Sequence, residues 1–175
     1  TAPHELHSVP QTTDELMHGI EAADPPGTWD LVSLLIGVNN QYRGRSLENF
    51  EAEFRQLAET AIDLSRDGAQ GVQVLSIPDW GQTPFGAGCG RDRRQISLEI
   101  DAFNDCAKTV CTSLNIALLD ITALTRRHSQ ETGMHAEDGL HPSAQMHHLW
   151  AKALLFTKKF GRLGLRAREK DNNHE

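Results

Sequence analysis

The stretch LVSLLIGVNN, Leu31 to Asn40, is an almost unbroken apolar run that stops at a glycine and two asparagines. A short apolar run bounded by a turn signal is the pattern of a strand covered on both faces, as in a parallel sheet. It is far too short to span a bilayer, which takes about 20 apolar residues. Gly37 lets the chain turn sharply where the run ends. Asn39 then presents a side-chain amide just beyond the strand.

Two further runs have the same character: VQVLSIP, residues 72–78, and NIALLDIT, residues 115–122. The segments between them carry helical spacing. Thr12 and Glu15 have capping-box spacing and open a helix over 13–23, which Pro25 and Pro26 end. Phe50, Phe54, Leu57, Ala58 and Ala61 form the stripe of a second helix over 46–66. Asp92 caps a third through about 113, and Pro142 starts a last one running to Phe156. Between the second strand and the third helix lies DWGQTPFGAGCGR, residues 79–91, read as a long Gly- and Pro-rich loop of functional character. A polar loop is expected over 125–137. Strands alternating with helices predict an α/β domain with a parallel sheet and right-handed crossovers. One domain over 1–157 is expected, followed by a basic, flexible tail over 158–175.

The chain has 175 residues, enough for one domain with a normal core, and a net charge of -7, which argues against general nucleic-acid binding. Cys89, Cys106 and Cys111 show no Cys-x-x-Cys spacing and read as thiols in a reducing compartment. No signal-peptide profile follows Thr1, so a soluble, cytoplasmic setting is favoured; export stays open if an upstream segment is removed. His4, His7, His147 and His148 lack ligand spacing backed by carboxylates and read as surface residues, with no metal or cofactor expected. Trp29 and Trp150 read as core.

In open α/β sheets ligands bind beyond the carboxyl ends of the strands. Asn39 lies there, where its amide can donate to a developing oxyanion. Asp79 and Trp80 follow the second strand and offer a pocket wall. Beyond the third strand comes EDGLHPS, residues 137–143, with Asp138 three positions before His141. That spacing lets the carboxylate accept from Nδ1–H, fixing the tautomer and leaving Nε2 as a general base.

Gly-x-Asn after a buried strand, then Asp-x-x-His, resembles the SGNH hydrolase superfamily, the GDSL-type esterases and lipases, over about Thr12 to Leu155. LLIGVNNQYRG is similar to the family's third block, Gly-x-Asn-Asp, which carries over onto Gly37 and Asn39; Asn40 replaces the aspartate and is expected to contact substrate with Trp80 and Asp79. DGLHPS resembles the fifth block and assigns Asp138 and His141. The runs LLIGVNNQYRGRSLENFEAEF and VLSIPDWGQTPFG also look like a bacterial subgroup. The resemblance implies a flavodoxin-like three-layer α/β/α fold. It also implies a small-molecule ester substrate, no cofactor, and attack by a serine that His141 deprotonates.

Two family blocks are not found. No Gly-Asp-Ser occurs, and the second block's place is taken by SVPQ, Ser8 to Gln11, in which Pro10 has no N–H. The first strand is therefore expected to be missing or replaced. Either HELHSV, residues 4–9, fills the gap between two strand edges, or the open edge drives homo-oligomerisation. Ser33 and Ser76 lie in strands and Ser143 at a helix cap, which leaves Ser8 as a low-ranking nucleophile. The alternative is an inactive truncated homologue that binds a small acyl or carbohydrate ligand.

Overall fold

The computed structural model describes residues 11–25 and 27–156. The expectations for Ser8, for the gap-filling 4–9 segment and for the 158–175 tail lie outside the described residues. In chain order the elements are helix α1 (Thr13–Ala23), strand β1 (Val32–Leu34), helices α2 (Val38–Tyr42) and α3 (Leu47–Asp63), and strand β2 (Val72–Leu75). Helices α4 (Pro84–Gly88) and α5 (Arg93–Ser113), strand β3 (Ala117–Leu119) and helix α6 (Thr122–His128) follow. A last helix, α7, occupies 144–156 of the described residues.

The three strands form one parallel sheet in the order β1-β2-β3, with Leu34, Val74 and Leu118 in register. Helices cover both sides. On one side Phe50, Phe54 and Leu57 of α3 and Ile96, Ile100 and Phe103 of α5 close over Leu34, Val72 and Val74. Phe50 stacks tilted against Phe54 and Phe103, with centroids 5.3 and 4.8 Å apart. On the other side Met146 and Trp150 of α7 pack with Leu119 and Leu75. Burying each such side chain contributes roughly 1.5–3 kcal/mol. The parallel sheet matches the fold expected from the alternation of strands and helices, and the helices on both its sides match the layering that the family resemblance implies.

Local chemistry sets the helix ends. The Glu15 carboxylate accepts from the Thr12 N–H at 2.8 Å, Ser46 Oγ from Asn49 at 3.2 Å, and Asp92 from Arg94 at 2.8 Å. Ser143 Oγ accepts from Gln145 and Met146 at the start of α7, which is the capping role expected of it.

Helix α2 was not expected, and four further features differ from the sequence reading. The first run is not covered on both faces: Leu31 and Leu35 are 47% and 44% exposed, and Ser33 between them is exposed too. The expected gap between two strand edges does not fall within the described sheet, whose three strands pair in sequence order with β1 at one end. The loop over 79–91 contains a 3-10 turn (Trp80–Gln82) and α4, the latter capped by Thr83 Oγ1 accepting from Gly86. The polar loop over 125–137 begins inside α6, whose first turn is held by the Asp120 carboxylate accepting from Ala123 N–H at 3.0 Å.

Candidate active site

The strand ends open into a cleft of about 930 Å³, bordered by Asn39, Tyr42, Trp80, Phe85, His141 and Trp150. Part of its lining is the loop before α7, which folds on itself. Asp138 Oδ1 accepts from the main-chain N–H groups of Leu140 (2.9 Å) and His141 (3.0 Å), and Ala136 N–H donates to the His141 carbonyl at 2.8 Å. Phe85 N–H donates to the Gly139 carbonyl at 3.0 Å and ties the loop to α4.

Asp138 Oδ2 lies 2.5 Å from His141 Nδ1. The hydrogen bond from His141, with those from the two backbone amides, holds the Asp138 carboxyl well below the ordinary carboxylate range. An ionised carboxylate only accepts, so the proton between the two residues belongs to Nδ1. In the neutral imidazole this leaves the Nε2 lone pair unused, and the His141 side chain is 69% exposed. Such an imidazole can take a proton from an acidic group brought to the cleft.

Gly37 ends the apolar run with φ +115°, a conformation that L side chains rarely adopt. A Cβ there would stand 2.8 Å from Phe50 Cε2 and 2.9 Å from Ile77 Cδ1. The tight turn starts α2, which carries Asn39 and Tyr42 to the cleft one helical turn apart. Asn39 Nδ2 donates to the Gln11 carbonyl at 3.0 Å. An amide NH2 has two hydrogens, so one fixes the group and the other is available to an anionic oxygen.

Asn40, expected to contact substrate, does not reach the cleft. It is fully buried, accepting from Thr13 N–H at 3.1 Å and donating to Thr13 Oγ1 at 2.6 Å, and so clamps α1 to α2. Asp79 lines the cleft, but its carboxylate is fully buried and occupied. It accepts from Gly81 N–H (3.0 Å), Ser97 Oγ (2.6 Å) and Arg126 Nε (2.7 Å). The role of Asp79 in this arrangement is to hold the Trp80 turn. Trp80 in turn donates from Nε1 to Gln41 Oε1 at 2.8 Å. Sequence reasoning missed Arg126, Gln41, Tyr42 and Phe85; the basic run Arg126, Arg127 and His128 in the last turn of α6 was the one available signal.

Among the described residues no serine or cysteine borders the cleft. The two threonines that do are engaged: Thr83 Oγ1 donates to the Trp80 carbonyl, and Thr125 Oγ1 to the Ile121 carbonyl. Ser33 lies in β1, and Ser76 is buried, accepting from the N–H groups of Ile121 and Thr122. His147 is exposed and packs edge-on against Trp150, which is buried as expected. Trp29 is half-buried. Among the described residues no cluster of metal-ligating side chains occurs and no helix is long and apolar enough to cross a membrane.

Solved structures share this fold at low identity. Axe2, an acetylxylan esterase from Geobacillus stearothermophilus, is 22% identical with a TM-score of 0.57, over 83% of this chain and 66% of that one. Catalytic mutants of Axe2 have been solved at a serine, an aspartate and a histidine, with two residues between the aspartate and the histidine. LAE5, an α/β hydrolase from the metagenome of Lake Arreo in Spain, is 19% identical with a TM-score of 0.59 over the same shares. A lipase/acylhydrolase from Enterococcus faecalis is 21% identical with a TM-score of 0.59, over 87% of this chain and 72% of that one. The chain thus spans 66% of the length of the first two enzymes. No curated protein matches it. The family model described as GDSL-like lipase/acylhydrolase matches residues 8–149, more than half of the chain, and the protein belongs to that family.

Proposed function

We propose that this chain holds the acid–base half of a serine ester hydrolase: His141 as general base, Asp138 as its orienting acid, and Asn39 as an oxyanion donor. Gly37 shapes the turn that presents Asn39. The observation that carries the reading is the bond between Asp138 and His141 Nδ1, made on a cleft that Asn39 also lines. The same Asp-x-x-His spacing in the catalytic mutants of Axe2 supports it.

In the reaction the serine Oγ attacks the acyl carbon while His141 Nε2 takes its proton. The tetrahedral oxyanion accepts from the free Asn39 N–H, a type of bond worth about 10²–10³ in rate. His141 then returns the proton to the departing alkoxide, and water releases the acyl group by the same route. Among the described residues no serine borders the cleft, which supports the reading that the nucleophile is absent from this chain. A fluorophosphonate probe tests this directly. The 175-residue chain is expected to resist labelling, and a covalent adduct mapped to Ser8 or any other residue would overturn the missing-nucleophile reading.

The engaged threonine hydroxyls favour a second reading, a homologue that binds a small acyl or carbohydrate ligand without turnover. Ligand affinity with no product release distinguishes it from hydrolysis. Either reading goes with a cytoplasmic setting as the favoured one, with export open if an upstream segment is removed; Cys89, Cys106 and Cys111 are free thiols.

A further inference from the structure

Between Asn39 and His141 the cleft has a continuous aromatic wall. Tyr42 stands one turn after Asn39 on α2, and its ring meets Trp80 edge-on with centroids 5.5 Å apart. Phe85 lies on the other side of Trp80 at 6.2 Å, and its N–H holds the Gly139 carbonyl of the loop that carries His141. Trp80 is 4% exposed, with the Arg91 guanidinium over its ring at 5.5 Å. Tyr42 and Phe85 are 52% and 38% exposed. The wall therefore has a sealed indole at its centre and an open ring on each flank.

Apart from the Tyr42 hydroxyl at its open flank, the polar side chains built into this wall are engaged within the protein, Arg43 beside it pairing with Glu15 at 2.8 Å. Gln41 uses both ends of its amide, donating to Glu99 at 2.6 Å and accepting from Trp80. The Asp79 carboxylate is filled by Gly81, Ser97 and Arg126, and Thr83 Oγ1 by the Trp80 carbonyl and the Gly86 N–H. Two further polar atoms on cleft residues, His135 Nδ1 and Trp150 Nε1, have no partner but are sealed from solvent. A sugar ring needs hydrogen-bond partners for its hydroxyls as they leave water, and unpaired ones are costly. A flat apolar ring has no such need and gains from edge-to-face or offset contact with Tyr42 and Phe85.

We infer that the Tyr42–Trp80–Phe85 wall selects esters with an aryl or similarly flat apolar group, and disfavours acylated glycans. The inference rests on the proposed ester site for its reacting ends, but its own content is a binding preference that needs no nucleophile. The test therefore reads binding alone, with the full chain and an unreactive amide isostere of an aryl ester, N-(1-naphthyl)acetamide, against xylobiose. Saturation-transfer NMR and tryptophan fluorescence titration report the two ligands. The amide is expected to bind and xylobiose to bind more weakly or not at all. Tyr42→Ala and Phe85→Ala should each weaken the amide about three- to tenfold, while Leu98→Ala, at a 55%-exposed position of α5, should not. Circular dichroism confirms that the variants fold. Failure of the amide to bind, xylobiose binding as tightly, or unchanged affinity in both alanine variants would each overturn the preference. None of these outcomes touches the hydrolase reading, which the fluorophosphonate result decides.

Discussion

Arg126 reaches two carboxylates, and their unequal burial makes a sharp test of what holds the cleft wall together. Its Nε donates to Asp79 Oδ2 at 2.7 Å, and its Nη1 lies 2.8 Å from Asp101 Oδ1. The distances are nearly equal, yet the Asp79 side chain is 0% exposed and that of Asp101 is 48% exposed. Asp79→Asn keeps the shape and one acceptor oxygen but turns an NH2 toward donors. Three hydrogen bonds end on this carboxylate, and each bond to a charged group is worth about 1.5–3 kcal/mol. One of them is lost outright and the others weaken. Arg126 is a third exposed and recovers part of its hydration, so the full penalty of a broken buried pair does not apply. The expected loss is about 3 kcal/mol, or roughly 6–12 °C in Tm for a chain of this size. Asp101→Asn removes a solvent-screened pair and should cost about 0.5 kcal/mol or less. Urea denaturation of both variants, with tryptophan fluorescence as probe, measures the contrast. A loss from Asp79→Asn no larger than that from Asp101→Asn would refute the argument that burial rather than proximity sets the strength.

Gly37→Ala should destabilise the chain by about 2–4 kcal/mol, because a Cβ meets Phe50 and Ile77 and the positive φ is strained for alanine; denaturation midpoints check it. The lowered Asp138 carboxyl stabilises the folded state above the ordinary carboxylate range, and that contribution drains away as pH falls through the lowered value. The gap in urea midpoint between the native protein and Asp138→Asn should therefore be present at pH 5 and close toward pH 2. Burial pushes the Cys111 thiol up to about 11, so at pH 8 only about one molecule in a thousand carries its thiolate. Iodoacetamide should spare Cys111 until the protein unfolds, as mass spectrometry of timed samples would show.

The sequence carried the elements whose signals are local. Capping pairs such as Thr12 with Glu15 marked helix starts, and the apolar runs marked strands, because one residue's chemistry fixes its neighbour a few positions away. Helix α2 was not legible: Val38, Asn39 and Asn40 are poor helix formers. What holds them is tertiary, above all the clasp of Asn40 on Thr13, 27 positions distant. The same limit explains Asp79. Its place after β2 was correct, but whether its carboxylate faced a ligand depended on Arg126, 47 positions away. The exposure of Leu31 and Leu35 was hidden for the opposite reason, since an apolar run says what a strand can bury and not what is there to cover it.

Locality also governs how much of the candidate site is independent of the rest of the fold. Asp138 and His141 are joined across three positions, and the carboxylate is fixed by N–H groups of its own loop. Asn39 is aimed by the Gly37 turn and by the Gln11 carbonyl. The two ends are then set relative to each other by the wall between them: Tyr42 against Trp80, Trp80 held through Gln41 and the Asp79 turn, and Phe85 tied to Gly139. Nothing in that chain of contacts passes through a nucleophile. On the proposed roles, His141 and Asn39 are held in place by contacts that include no serine, and dipoles already in place cost no reorganisation when charge develops. It follows that loosening the wall should harm the site even where no reacting residue is changed. Asp79→Asn, which leaves Asp138, His141 and Asn39 intact, should lower ligand affinity at temperatures where the variant is still fully folded.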